Sequence, residues 1–531
     1  MATEEVFVGL RAVDHIHQSR DAASESFILD GTLVLGVLFA LATFVFHFAR
    51  AGAYGYQRDE LYFISCARHL AFGYVDQPPL IALVTKFALF AFGDSLYGLR
   101  FLPALAAAAT VVLTGRLARR FGGGLWAQGI AMLGIGLSPF SLAVGNLLTM
   151  NAFEPLLWVG AAYLFAKAME SNRMALWIAF GAVSGLGLIN KYSMFFFLGS
   201  CIVGVLLTRE RRVLVRPGLA LAAVIAFAIV APTLVWQALN GWPQLEVLRN
   251  AAVGKNVYEG PIAFYAQQTL LMSPLSAPLW LAGLWALLLG AEPFRAWRWY
   301  GWTYVVLSIV YVVLQAKVYY LAPIYPVLFA AGGAFAQTLL ARFDFARLAY
   351  TVLLCASGIV IAPEAYPLLP LQAFIKYERV LDMRSVKMEK HPQGVVPQHF
   401  ADMLGWDTLI AALTSAYNAL PATDRRDAVI LTRDYGQASA VDFLGRSHGL
   451  PLAISGHNNY YLYGTRGASG NVVLAIGFSQ AFLAREFGSV RAVATYTDPY
   501  VLPDFNNLPI YRCTRPREPL AAFWPNFKRF I

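Results

Sequence analysis

Apolar runs long enough to cross a lipid bilayer recur down the first two thirds of this 531-residue chain. A helical span takes about 17–25 predominantly apolar residues, because backbone N–H and C=O groups in hydrocarbon must be paired inside the segment itself. The overall balance agrees. Hydrophobic residues make up 58% and charged residues 14%, where a soluble protein carries roughly a quarter charged. The pattern predicts a polytopic α-helical membrane protein and excludes an ordinary soluble one.

Charge then orients the spans. The net charge of +10 would suggest a nucleic-acid partner in a soluble chain, but here the basic residues gather in short loops between apolar runs. That is an orientation signal, so no nucleic acid is expected; anionic lipid or a phosphorylated substrate is the secondary reading. Residues 1–27 are polar and are expected to form a cytoplasmic segment. The run at about 28–48 lacks a small-x-small cleavage site and reads as a retained anchor. Further spans are expected near 96–117, 125–145, 152–169, 174–190, 192–208, 217–239, 275–291, 300–316, 319–341 and 348–362, about eleven in all. Residues 80–93 are short, contain Lys86, and suit an interfacial helix. This count puts the basic loops GRLARR, TRERRVLVR, FRAWRW and ARFDFAR on one side, taken as cytoplasmic. The opposite face collects Asp59, Glu60, Asp76, Glu154, Lys191, the loop 240–272 and Lys317. Residues 28–362 are thus expected to form the membrane domain of a multi-pass plasma (inner) membrane protein.

From residue 363 the composition becomes globular. Short β-like runs, AVILTRD (428–434), NVVLAIG (471–477) and VRAVATYT (490–497), alternate with helical stretches and predict a small extracytoplasmic α/β domain over 363–531. No GxGxxG, P-loop or HExxH motif is present, and the four cysteines lack metal-ligand spacing.

The charged groups on the far face carry the chemistry. Asp59 and Glu60 sit in YGYQRDELYF, and Asp76 precedes two prolines in GYVDQPPL. Asp59 reads equally well as a helix cap, but the prolines fix where Asp76 points, and Glu154 begins a nearby span. Carboxylates converging on one membrane-surface site can supply a general base and a group that orients it or holds a cation. Lys191 (NKYSMFFF) and Lys317 (AKVYYLAPIYP) each end an apolar run beside aromatic residues. Singly they read as snorkelling lysines; together, on the face that holds the acids, they suit a lipid-linked phosphate.

The DE pair, the PPL turn, NKYSM, WQALNGWPQL and KVYYLAPIYP together resemble glycosyltransferase family 39, the protein O-mannosyltransferases and lipid A aminoarabinose transferases. The likeness runs from about residue 50 to 340. In the tail, DYGQASAVDFLGRSHGLPLAISGHNNYYLYG is similar to a bacterial branch. The resemblance implies a GT-C fold, a polyprenyl-phosphate sugar donor, an envelope lipid, glycan or protein acceptor, and inversion at the anomeric carbon. It implies Asp59 as the catalytic aspartate with Glu60 as its partner, and Asp76, Glu154, Lys191, Lys317 and Tyr320 as substrate-binding residues. A divalent cation is left open, with Asp76 as the candidate ligand and Gln77 as a departure from the usual pattern. Two other classes stand beside this reading. A transporter or flippase would place ionisable residues near mid-membrane, whereas these acids cluster at one edge. An envelope-assembly scaffold would leave the DE and PPL turns without a job.

Overall fold

The computed structural model describes residues 31–381, 387 and 389–531, so the expected cytoplasmic segment 1–27 lies outside the described residues. Among the described residues, five helices are long and apolar enough to cross a bilayer: Gly31–Ala49, Leu96–Arg120, Pro217–Leu239, Val318–Leu339 and Asp344–Ala365. A sixth span results if Pro261–Leu271 and Pro274–Leu289, bent by 94° at their junction, count as one. The other expected spans are also helical, but shorter, broken or charge-bearing. The run 125–145 divides into Leu125–Gly136 and Pro139–Val144, and the run at 152–169 is Met150–Ser171, which contains Glu154, Lys167 and Glu170. The expected interfacial helix is Leu80–Phe92. The loop 240–272 is not irregular: Pro243–Gly254 and Pro261–Leu271 are helices within it.

Without a hydrophobic drive between helices in lipid, close backbone approach matters more. Gly283 and Gly332 show this. A Cβ on Gly283 would lie 2.0 Å from the Leu328 carbonyl, and one on Gly332 2.0 Å from that of Leu279. Any larger residue would force the Ala277–Leu289 and Tyr325–Leu339 helices apart.

The C-terminal part contains one five-stranded sheet: β1 (Ala428–Thr432), β2 (Ala453–Ser455), β3 (Val472–Ile476), β4 (Phe487–Tyr496) and β5 (Leu508–Pro516). The order is β2-β1-β3-β5-β4. β1 runs parallel to β2 and β3, while β5 is antiparallel to β3 and β4, so the sheet is mixed. β3 is buried throughout and reads as an unbroken apolar run, whereas the edge strand β4 is largely exposed. The sequence runs that predicted β1 and β3 contain their strands, and the run 490–497 overlaps β4, which begins earlier at Phe487; β2, of only three residues, and β5 were not singled out.

One apolar core joins this domain to the segment after the first span. Leu61, Tyr62, Phe63 and Ile64 pack in the same cluster as Tyr435, Ala438, Val441, Ile430 and Leu474. The Arg58–Arg68 helix therefore lies beneath the Tyr435–Phe443 helix, with the sheet behind it.

Candidate active site

Gln57, not Asp59, caps the Arg58–Arg68 helix. Its side-chain oxygen accepts from the Asp59 N–H at 2.6 Å, and its own N–H donates to Glu60 Oε2 at 2.9 Å. The Asp59 carboxylate is released from capping and its side chain is 35% exposed. Its Oδ1 accepts from the Tyr435 hydroxyl at 2.7 Å, with Arg58 Nε 3.7 Å away. The Arg58 guanidinium also lies over the Tyr435 ring at 5.4 Å. A tyrosine of the C-terminal part thus reaches the acid of the segment that follows the first span.

Glu60 is placed differently from the expected catalytic partnership. It is 0% exposed, and Arg100 Nε and Nη2 hold its two oxygens at 2.9 and 2.8 Å. The Leu148 N–H donates to Oε1 at 2.9 Å. Arg100 also donates to the carbonyls of Ala51 and Gly55, each at 2.7 Å. Every close partner of Glu60 is a protein donor, so the pair knits the loop 50–60 to the Leu96–Arg120 helix and the Leu148 turn.

Asp76 accepts from the Tyr62 hydroxyl at 2.7 Å and from Asn458 Nδ2 at 2.8 Å. Tyr62 packs against Tyr435 with tilted rings whose centroids are 4.5 Å apart, so a tyrosine pair links the surroundings of Asp59 and Asp76. Burial pushes the Asp76 carboxyl up to about 6; the Asp59 charge adds to this, while the Tyr62 hydrogen bond and the charge of Lys255 oppose it. Both Asp76 oxygens already accept from neutral donors. Among the described residues no three His, Cys, Asp or Glu side chains group so as to hold a metal ion. A lone carboxylate already held by two neutral donors does not fit a cation held by protein carboxylates.

The lysines fall into two linked groups. The Met174–Asn190 helix ends at Lys191, whose extended backbone breaks the run before Ser193–Leu206. Its Nζ turns inward, donating to Asn151 Oδ1 and Glu154 Oε2, each at 2.8 Å, and lies 4.3 Å from the Tyr320 ring centre. Glu154 is 2% exposed and also accepts from the Ser193 hydroxyl, so it holds Lys191 in place. An ammonium has three donors, and one of those on Lys191 is left over. Lys317, just before the Val318–Ile324 turn that carries Tyr320, donates to Glu389 Oε1 at 2.6 Å. Lys255 Nζ stands 3.6 Å from the same oxygen, and His391 Nε2 3.6 Å from Oε2. Burial raises the Glu389 carboxyl, but Lys255, His391 and Lys317 outweigh it and hold the group well below the usual carboxylate range.

The structure therefore links Asp59 to Asp76, and Lys317 to Lys255, and sets Tyr320 over Lys191. Tyr435, Asn458 and Glu389 were not singled out in the sequence. The first two lie in DYGQ and HNNYY, tail segments that carried the family likeness but whose residues had no assigned partners. Glu389 had no local signal at all.

Residues 76–236 match the family model described as dolichyl-phosphate-mannose-protein mannosyltransferase. The match includes Asp76, Glu154 and Lys191 and stops short of Asp59 and Lys317. Among solved structures, ArnT from Cupriavidus metallidurans bound to undecaprenyl phosphate superposes with a TM-score of 0.62 at 16% identity, covering 90% of this chain and 97% of that one. Its apo form gives 0.58 at 14% identity, covering 91% and 98%. The chain has the GT-C fold of these transferases. The arabinofuranosyltransferase AftD from Mycobacteria is similar at a TM-score of 0.51 and 13% identity, over 91% of this chain and 40% of that one. No curated protein sequence matches.

Proposed function

We propose that this protein is a membrane glycosyltransferase that moves a sugar from a polyprenyl-phosphate donor to an envelope acceptor with inversion. The observation that carries the reading is Asp59: a partly exposed carboxylate with a single close hydroxyl donor, on the same face as a surplus of lysines. The fold it shares with a protein crystallised with undecaprenyl phosphate supports the donor class.

In this mechanism the acceptor hydroxyl or amine attacks the anomeric carbon. Its proton passes to Asp59, the bond from that carbon to the phosphate oxygen breaks, and polyprenyl phosphate leaves carrying the bonding pair. General-base assistance of this kind is worth about 10²–10⁴-fold. Tyr435 orients the Asp59 carboxylate by donating to one oxygen and leaving the other for the acceptor. Lys191 offers its remaining N–H to the phosphate, and Lys317 with Lys255 supplies further positive charge where negative charge develops. Tyr320 and Glu154 position Lys191, and Asp76, held by Tyr62 and Asn458, shapes the acceptor side. Glu60 is a positioning residue in this scheme.

We place residues 28–362 in the inner membrane and the globular part 363–531, with the site, on the extracytoplasmic face, from the charge of the short loops. Phosphatase and fluorescent-protein fusions after residue 531 test this: a fluorescent, phosphatase-negative tail overturns it. The activity is tested with purified protein in lipid vesicles given labelled polyprenyl-phosphate sugars. Transfer to an acceptor supports the reading; translocation without transfer makes the protein a flippase; neither outcome across the common polyprenyl-phosphate sugars makes it a scaffold.

A further inference from the structure

A groove of about 800 Å³ lies remote from Asp59. It opens between the Gly31–Ala49 and Leu96–Arg120 helices, with Gln128, Met132 and Tyr163 on its far wall. We propose that it is a binding site for an anionic phospholipid, taking the headgroup phosphate on Arg116 and Arg119 and one acyl chain in the slot beneath.

The slot arises because the first helix is fastened at its two ends. At one end Phe44 and Phe48 pack on Phe101, with ring centroids 5.4 and 6.0 Å away. At the other, Gln128 Nε2 donates to Thr32 Oγ1 at 3.4 Å. The helix as a whole is poorly covered: only 6% of its apolar window is buried. Leu33, Gly36, Val37 and Ala40 face Val112 and Gly115 across the opening. Thr32 to Ala40 is roughly 12 Å of helix, close to the depth of one leaflet in a hydrocarbon core of about 30 Å.

Charge closes one end only. Arg116 is exposed and Arg119 half-buried, and neither has a carboxylate partner among the described residues. Arg120 differs: it pairs with Glu170 and lies over the Tyr163 and Trp297 rings, at 5.4 and 5.7 Å. Two unpaired guanidiniums above an apolar slot one leaflet deep match a lipid phosphate with a chain below it. The place also separates this site from the one proposed for the donor. Arg100, which holds Glu60, lies sixteen residues before Arg116 on the same helix, roughly 24 Å away toward the other membrane surface.

A basic helix end alone would be accounted for by membrane orientation, which needs no slot. Two variants divide the explanations. Gly36→Phe fills the slot without changing charge, since a Cβ there already lies 3.8 Å from Val112. The double variant Arg116→Gln, Arg119→Gln removes the charge. Native mass spectrometry of the detergent-purified full chain, titrated with phosphatidylglycerol or phosphatidylcholine, gives the readout. We expect one phosphatidylglycerol retained in preference to phosphatidylcholine, loss of that adduct in Gly36→Phe, and roughly five-fold weaker binding per arginine removed. Equal retention of the two lipids overturns the proposal, as does undiminished binding to Gly36→Phe. Binding that appears only after residues 1–27 are deleted also overturns it. That stretch carries Glu4, Glu5, Asp14, Asp21 and Glu25, and the groove would then belong to the chain's own acidic segment.

Discussion

Two ion clusters flank the proposed catalytic face, and they are built on opposite terms. At the Glu60–Arg100 pair one carboxylate meets one guanidinium, both 0% exposed, and backbone groups take up the remaining bonds. At Glu389 one carboxylate serves Lys317 and Lys255 as well as His391, and the lysine side chains are 10% and 24% exposed. A balanced, dry pair has nothing left to offer a ligand. An acid outnumbered by cations leaves positive charge that an incoming phosphate can use. The balance of partners, rather than the presence of charge, separates a structural carboxylate from a site.

The largest expected effect tests the balanced side. Arg100→Ala strands a buried carboxylate and should cost about 3–5 kcal/mol, read as lost expression and a lowered Tm in detergent. A stable, well-expressed variant would remove the contrast. Asp59→Asn comes next: transfer should fall at least ~10²-fold while the Tm stays near wild type, because the amide keeps the shape and loses the basicity. More than about a tenth of the wild-type turnover would rule out the base role.

On the cationic side, Lys191→Ala should raise the apparent KM for the lipid donor about ten-fold, as for loss of a hydrogen bond to a charged group. Lys191→Arg keeps the charge and should raise it less. An unchanged KM with a lowered Tm would make Lys191 a purely structural partner of Glu154. The smallest effect concerns Asp76. Its carboxyl is raised from the ordinary 3.8 to about 6, so the folded state binds its proton more tightly than the unfolded chain does. Stability should therefore decline as pH rises from about 4 to about 6, and Asp76→Asn should lack that component of the profile. Thermal melts across pH 4–7 check it; identical profiles in both proteins would refute it.

Much of the fold was legible because it follows from local composition. Apolar length marked the helices, and unbroken runs such as VVLAI marked the buried strands. The break at Ser138-Pro139 and the three-residue β2 depend on packing and escaped. Of the site, Asp59, Asp76 and Lys191 were visible as charges where charge is costly. Their partners were not. Tyr435, Asn458 and Glu389 are hundreds of positions or a domain away from the groups they touch, and no periodicity reports such pairings. The DE dipeptide looked like one unit in the sequence. Helical geometry sent its members to different places, Glu60 inward to Arg100 and Asp59 outward to Tyr435.

The Asp59–Tyr435 hydrogen bond spans 376 residues, and that separation sets a schedule. A ribosome adding about 5–20 residues per second needs roughly 20–75 s to travel from the codon for Asp59 to that for Tyr435. Throughout that interval the early helices can enter the bilayer while the carboxylate has no tyrosine to orient it. The nascent chain would thus settle in its membrane before the proposed base is oriented, and any activity that depends on Asp59 would wait until the last segment has docked.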